Sequence, residues 1–259
     1  MLYNHPYIGL IGMVLASTVA SGGGSSRSFK AEQMSFPRVK AAFARKEALL
    51  KEIFHRSNLS YPPLRIFIRV FKREGLLELW GAESANSKFK LVKTYRICAS
   101  SGALGPKRAQ GDGQVPEGFY KIERFNPLSN YHLSLGIDYP NRSDKILGRG
   151  GHLGGDIFVH GNCVTIGCVP IGDDSIEEVY AIAVEARQNG QSYIPVHIFP
   201  AKLDEKGVAS LHHDYAGNHS LASFWANLKQ GFDYFEQHRR LASVAVDRSG
   251  QYILSAPAD

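Results

Sequence analysis

Between residues 64 and 160 the chain is cut into short apolar runs separated by Gly, Pro and Asn, and this division restricts the fold more than any other feature. The runs are Leu64–Phe71, Leu76–Trp80, Phe89–Cys98, Gly118–Arg124, His132–Tyr139 and Asp156–His160. Each is too short for a helix with a buried face, and most are rich in β-branched and aromatic residues. Strands joined by hairpins and sheet corners are therefore expected. Ser192–Phe199 reads as one more strand. Helices flank this unit. Val39, Phe43, Leu49, Leu50 and Ile53 recur near helical spacing over Arg38–Phe54, and Tyr61-Pro62-Pro63 closes the segment. Asp173-Asp174-Ser175 opens a second helix, Ile176–Gln188, with acidic residues in its first turn and Gly190 beyond its end. In the tail, Leu221–Leu241 places Phe224, Leu228, Phe232 and Phe235 on one stripe, as packing on a core requires. The fold class expected is mainly β with helical appendages, α+β.

With 259 residues, 44% of them hydrophobic, the chain can bury one sizeable core or two small ones. Four segments are expected. Ile8–Ala20 is an apolar run too short to span a bilayer comfortably, followed by Ser21-Gly-Gly-Gly-Ser-Ser26, with small residues at Thr18-Val19-Ala20 for cleavage. Residues 1–20 are read as a secretory signal peptide, with an uncleaved anchor as the alternative. Residues 21–63 form a linker and N-terminal helix, 64–200 the central β unit, and 201–259 a helical extension. The net charge of +6 suits an anionic membrane or an acidic polymer such as a cell wall. No Lys/Arg block interleaved with aromatics accompanies it, which excludes the usual nucleic-acid footprint.

Three cysteines, Cys98, Cys163 and Cys168, make no paired zinc-ligand spacing, and in an exported protein an odd count leaves a free thiol. Pairing Cys98 with Cys163 would free Cys168, although the count does not fix the connectivity. Residues 158–171 read Phe-Val-His-Gly-Asn-Cys-Val-Thr-Ile-Gly-Cys-Val-Pro-Ile. His160 ends an expected strand and Cys168 follows one short loop later. A thiolate–imidazole pair with a depressed thiol pKa fits that order. Gly167 would leave backbone N–H groups free to face a developing oxyanion. Ser101–Gly118, with five glycines in eighteen residues, is expected to be a mobile loop that carries ligands. His212-His213-Asp214 is read as a solvated loop, since no further ligand group accompanies it.

The run His160-Gly161…Thr165-Ile166-Gly167-Cys168, after Gly150-Gly-His-Leu-Gly-Gly-Asp156, resembles the YkuD-type L,D-transpeptidases. These are exported bacterial enzymes that act on the peptide stems of peptidoglycan. Two further runs resemble their YafK branch: Ser101-Gly-x-Leu-Gly-Pro-Lys…Gly-Asp…Pro-Glu-Gly-x-Tyr120, and Tyr131-His-Leu-Ser-Leu-Gly…Tyr-Pro-Asn141. The resemblance implies a YkuD-like β-sandwich catalytic domain over 64–200. It implies Cys168 as nucleophile, His160 as general base, the Gly161 carbonyl as the group orienting that base, and an oxyanion hole of backbone N–H groups around Ile166, Gly167 and Cys168. His132, Arg149 and Thr165 are the substrate-binding candidates. The implied partners are diaminopimelate-containing stem peptides and, through the YafK branch, a lipoprotein joined to the wall by its lysine. No metal or organic cofactor is implied. Thr165-Ile166-Gly167-Cys168 departs from the wider family, which has His where Ile166 stands, and the histidine-to-cysteine loop is shorter than usual. Transfer to an amine and hydrolysis by water both remain open. A non-catalytic wall-binding module is the alternative of a different class. A papain-like protease is excluded by order, because there the cysteine precedes the histidine.

Overall fold

The computed structural model describes residues 1–2, 28–149 and 151–257. Apart from its first two residues, the export segment expected at 1–20 lies outside the described residues. Among the described residues no helix is long and apolar enough to cross a membrane.

Eight strands form one mixed sheet: β1 (Arg65–Phe71), β2 (Leu76–Ala82), β3 (Lys90–Arg96), β4 (Gly118–Asn126), β5 (Ser134–Ile137), β6 (Phe158–His160), β7 (Val169–Pro170) and β8 (Ile194–Phe199). Their order across the sheet is β3-β2-β1-β8-β4-β5-β6-β7. The β1–β8 and β6–β7 pairs are parallel and the others antiparallel. Register shifts at Leu79/Trp80 and Ile122/Arg124 mark bulges, which increase local twist. The α+β class and YkuD-like fold expected from the sequence are what the chain forms, with the strands hydrogen-bonded into this one large sheet.

Strand β1 shows why helices cover both faces. All its residues after Arg65 are buried, as in a strand with no solvent side. Ile66, Ile68 and Val70 join the core of α2 (Pro37–Arg56) and α4 (Asp173–Gln188). Phe67 and Phe71 point the other way, to Phe235 and Phe232 of α6 (His219–His238). Each such burial contributes about 1.5–3 kcal/mol. Between those rings lies Arg69, paired with Glu78 at 2.8 Å and with Glu236 of α6 at 2.6 Å. Helix α4 is buried from Ile176 to Ala186, and three glutamates in that stretch are each paired. Glu177 meets Arg45, Glu178 meets Lys93 at 2.6 Å, and Glu185 meets Lys30 at 2.5 Å.

Several expectations need correction. The tail is not wholly helical: β9 (Ser243–Val246) and β10 (Tyr252–Ser255) form a hairpin tied to α6 through Asn227, which bonds the backbone of Tyr252 twice at 2.8 Å. His212 and His213 end a helix, α5 (Glu205–Asp214), and do not lie in a loop. The strand expected to begin at His132 begins at Ser134, because His132 takes a left-handed φ of 69° that ends β pairing. A capping box of Asn141 and Asp144 starts a short helix, α3 (Arg142–Leu147), that the sequence reading did not foresee.

Candidate active site

The site is built where β6 runs parallel to β7, with Val159 opposite Val169 and His160 opposite Pro170. Cys168 is the residue before β7, so strand pairing sets the thiol beside the start of β6. A disulfide joins Cys98, just past β3, to Cys163 in the connecting loop, and leaves Cys168 as the free thiol. That loop is held from below as well. Asn162 donates its N–H to Asp173 Oδ1 at the start of α4 (2.7 Å) and accepts from the Gly172 N–H (3.2 Å).

His160 is 1% exposed, and its Nδ1 lies 2.5 Å from the Gly161 carbonyl oxygen. A carbonyl can only accept, so Nδ1 carries the proton and Nε2 keeps a lone pair. Burial lowers the imidazole pKa, with the Gly161 hydrogen bond opposing. The ring therefore stays neutral near neutral pH. Tyr131 packs on it at 4.8 Å between centroids. Only glycine fits at Gly161, since a Cβ would come within 2.5 Å of Asp173 Oδ1 and 2.8 Å of the Tyr131 carbonyl oxygen.

The Cys168 thiol is half-buried and donates to the Asp156 carbonyl oxygen at 3.6 Å. Burial pushes its pKa up. The Phe158 N–H and Lys107 oppose that shift, while Asp156 adds to it. That direction is opposite to the depression expected for a thiolate–imidazole pair. Among the described residues no hydrogen bond joins the thiol to His160, so a base would act as the sulfur attacks, without a standing ion pair.

Thr165 organises the turn before the thiol. Its Oγ1 accepts from the Cys168 N–H (2.8 Å) and the Gly167 N–H (3.2 Å), and donates to the Cys168 carbonyl (2.9 Å). The two N–H groups expected to bind an oxyanion are thus held by a hydroxyl. Gly167 has φ +128°, and a Cβ there would lie 3.0 Å from the Gln114 carbonyl oxygen. The 101–118 loop therefore abuts the turn that carries Cys168.

Cys168 opens into a cavity of about 280 Å³ bounded by Lys72, Ser101, Leu104 and Tyr215 among others. The loop expected to be mobile is fastened at two points. Asp112 takes Lys107 Nζ at 2.6 Å and the N–H groups of Arg108, Ala109 and Gln114 at 2.9–3.1 Å. Glu117, fully buried, takes Lys72 Nζ at 3.0 Å, the Gly105 N–H at 2.7 Å and Trp225 Nε1 at 2.8 Å.

The β6–β7 pairing thus puts His160, with Gly161, on one strand and the Thr165–Gly167–Cys168 turn at the start of its neighbour, and two candidates lie elsewhere. His132 sits on the far side of Gly161 with its Nε2 2.7 Å from Glu177 of α4. Arg149 lines a separate groove beyond the 101–118 loop. Sequence reasoning missed Lys72, Glu117 and Tyr131. The last two stand inside the quoted runs, at Pro116-Glu-Gly and before His132, and could have been singled out there. Lys72 lies in no motif.

The family model described as the L,D-transpeptidase catalytic domain, YkuD, matches residues 69–198. The YafK protein of Escherichia coli strain K12, assigned by inference as an L,D-transpeptidase, is 35% identical over 194 residues, 74% of each chain. Its counterpart in Escherichia coli O157:H7 gives the same figures. Among solved structures, the helical cell shape determining protein Pgp2 of Campylobacter jejuni aligns with a TM-score of 0.43 at 17% identity, over 78% of this chain and 80% of that one. A variant of Pgp2 aligns with a TM-score of 0.44 at 22% identity, over 74% of this chain and 63% of the other. His160, Cys168 and the 101–118 loop lie within the matched segment, and the chain belongs to the YkuD family of L,D-transpeptidase catalytic domains.

Proposed function

We propose that the chain is a cysteine acyltransferase of the bacterial cell wall, acting through a thioester at Cys168 on an amide of diaminopimelate-containing stem peptides. The observation that carries this reading is the locked His160 tautomer on β6, the strand paired with β7, which the free thiol immediately precedes. Nδ1 is committed to the Gly161 carbonyl and Nε2 is left basic, while Cys168 alone of the three cysteines escapes the disulfide. As the sulfur attacks the amide carbonyl carbon, its proton passes to His160 Nε2. The tetrahedral oxyanion exchanges with the Thr165 hydroxyl for the Gly167 and Cys168 N–H groups. The C–N bond then breaks, the leaving amine takes the proton from His160, and the acyl group stays on sulfur. Attack by a second amine gives a transpeptide, and attack by water gives hydrolysis. The same dyad serves both outcomes.

In this reading the catalytic unit is 64–200, residues 1–20 direct export to the envelope, and the basic net charge favours an anionic wall. The test is product analysis by mass spectrometry, using tetrapeptide muropeptides with and without an amine acceptor. The wild-type chain is expected to release the leaving amine and, with acceptor, to form the new amide. Cys168→Ala is expected to lose at least 1,000-fold in rate, on the order seen when a covalent nucleophile is removed. Undiminished turnover by Cys168→Ala overturns the proposal.

A further inference from the structure

A concavity of about 580 Å³ lies on the other side of the 101–118 loop from the thiol cavity. Its walls come from that loop, the segment after α3, the first turns of α6 and the β9–β10 turn at Gly250-Gln251. Residues 218–227 and 250–251 lie outside the matched family segment, so the C-terminal extension contributes half of this groove. We propose that it is a second substrate subsite, seating a carboxylate-bearing stretch of the stem peptide whose amide reaches Cys168. This rests on the acyl-transfer reading above and specifies where the rest of the substrate lies.

Charge, rigidity and position support the assignment. Two arginines face the groove, and the Arg149 N–H donates to the Arg108 carbonyl at 2.8 Å, which holds both residues at one edge. Arg108 is fixed on two sides, by Asp144 at 3.0 Å and by the Phe224 ring of α6 at 4.9 Å. Arg149 is exposed and has no ion pair among the described residues. One carboxylate, Asp112, also lines the groove, but Lys107 and three backbone N–H groups already occupy it. The unspent charge is therefore cationic, and a planar guanidinium fork suits a carboxylate.

The far walls are equally set. Asn227 clamps the hairpin to α6, and Ser143 Oγ donates to the Gly250 carbonyl at 2.6 Å. Position links the groove to the chemistry. Leu104 borders both cavities, and Gln114 lines the groove while its carbonyl abuts Gly167. One extended peptide can occupy both. A flat basic face would suit a membrane or a long polyanion better than this cleft does.

The test uses the full chain carrying Cys168→Ala, so that ligand is bound but not turned over. Calorimetry would compare L-Ala-γ-D-Glu-diaminopimelate with the same tripeptide amidated at every carboxyl. The free-carboxylate probe is expected to bind and the amidated one to bind at least tenfold more weakly. Adding Arg149→Gln should weaken the carboxylate probe on the order of tenfold. Adding Ser223→Trp, at an exposed position on the groove wall, should block it, with thermal unfolding checking that each variant folds. No binding of the carboxylate probe, or equal affinity in the parent and both variants, overturns the subsite. Turnover of muropeptide by the wild-type chain judges the acyl-transfer reading separately. A chain that turns over muropeptide but ignores both substitutions has the chemistry without this groove.

Discussion

At the scale of single residues, hydrogen-bond commitments define the site more than charge does. His160 Nδ1 is committed to the Gly161 carbonyl, which leaves Nε2 with its lone pair, and a Cβ at Gly161 would meet Asp173 and the Tyr131 carbonyl. The sign of the Cys168 pKa shift gives a measurable consequence. Burial raises the thiol pKa, so the thiolate fraction at pH 7 is below that of an exposed cysteine, whose pKa is about 8.5. Iodoacetamide should label Cys168 more slowly than free cysteine at pH 7, and the rate should climb about tenfold per pH unit and still be rising at pH 9. A rate that levels off below pH 8 would mean a thiolate stabilised at rest. Burial lowers the His160 pKa, so the basic form persists on the acid side of about 6.5, and turnover should keep its acid limb below that pH.

At the scale of elements, the 101–118 segment connects the thiol cavity, the arginine groove and the C-terminal helix. It has no regular structure, yet buried polar groups fix it. Glu117 meets a lysine just past the end of β1, a backbone N–H of its own loop and a tryptophan of α6. Glu117→Gln keeps the shape but removes the carboxylate partner of the buried Lys72 ammonium, leaving it the Gly105 and Val115 carbonyls alone. It should cost about 3 kcal/mol in urea unfolding, and adding Lys72→Met should recover most of that loss. A single-variant cost under about 0.5 kcal/mol would show that the pair does not brace the loop.

How legible these elements were follows from what each has to signal with. The first two strands and helix α2 announce themselves, because seven-residue strands and a twenty-residue helix repeat their apolar positions enough to show a period. Strand β7 is two residues long and β9 four, too short for any period, and each exists only through a partner elsewhere in the fold. The His160–Cys168 spacing was visible in the sequence. The Thr165 hydroxyl across two N–H groups was not, since three short hydrogen bonds inside one turn leave no pattern in residue types. Nor was the raised thiol pKa, which depends on burial in the folded chain that no residue pattern records.

At the scale of the whole molecule, one sheet is covered on one face by α2 and α4 and on the other by α6 and its hairpin. The first cover is fastened to the catalytic turn through Asp173, and the second supplies Trp225 to Glu117 and the far wall of the arginine groove. The 201–257 segment therefore shares a core with Phe71, Phe119 and Phe199 of the sheet. In the proposed reading, this arrangement sets the arginine groove and the Cys168 cavity along one loop, with Leu104 bordering both.

The central claim is that an acyl group passes through Cys168. Intact-protein mass spectrometry during turnover of a diaminopimelate-containing tetrapeptide muropeptide tests it most directly. The account predicts an adduct of acyl mass, mapped to the Cys168 peptide, lost on treatment with hydroxylamine and absent from Cys168→Ala. Full turnover by Cys168→Ala, or an adduct mapped to any other residue, would contradict it.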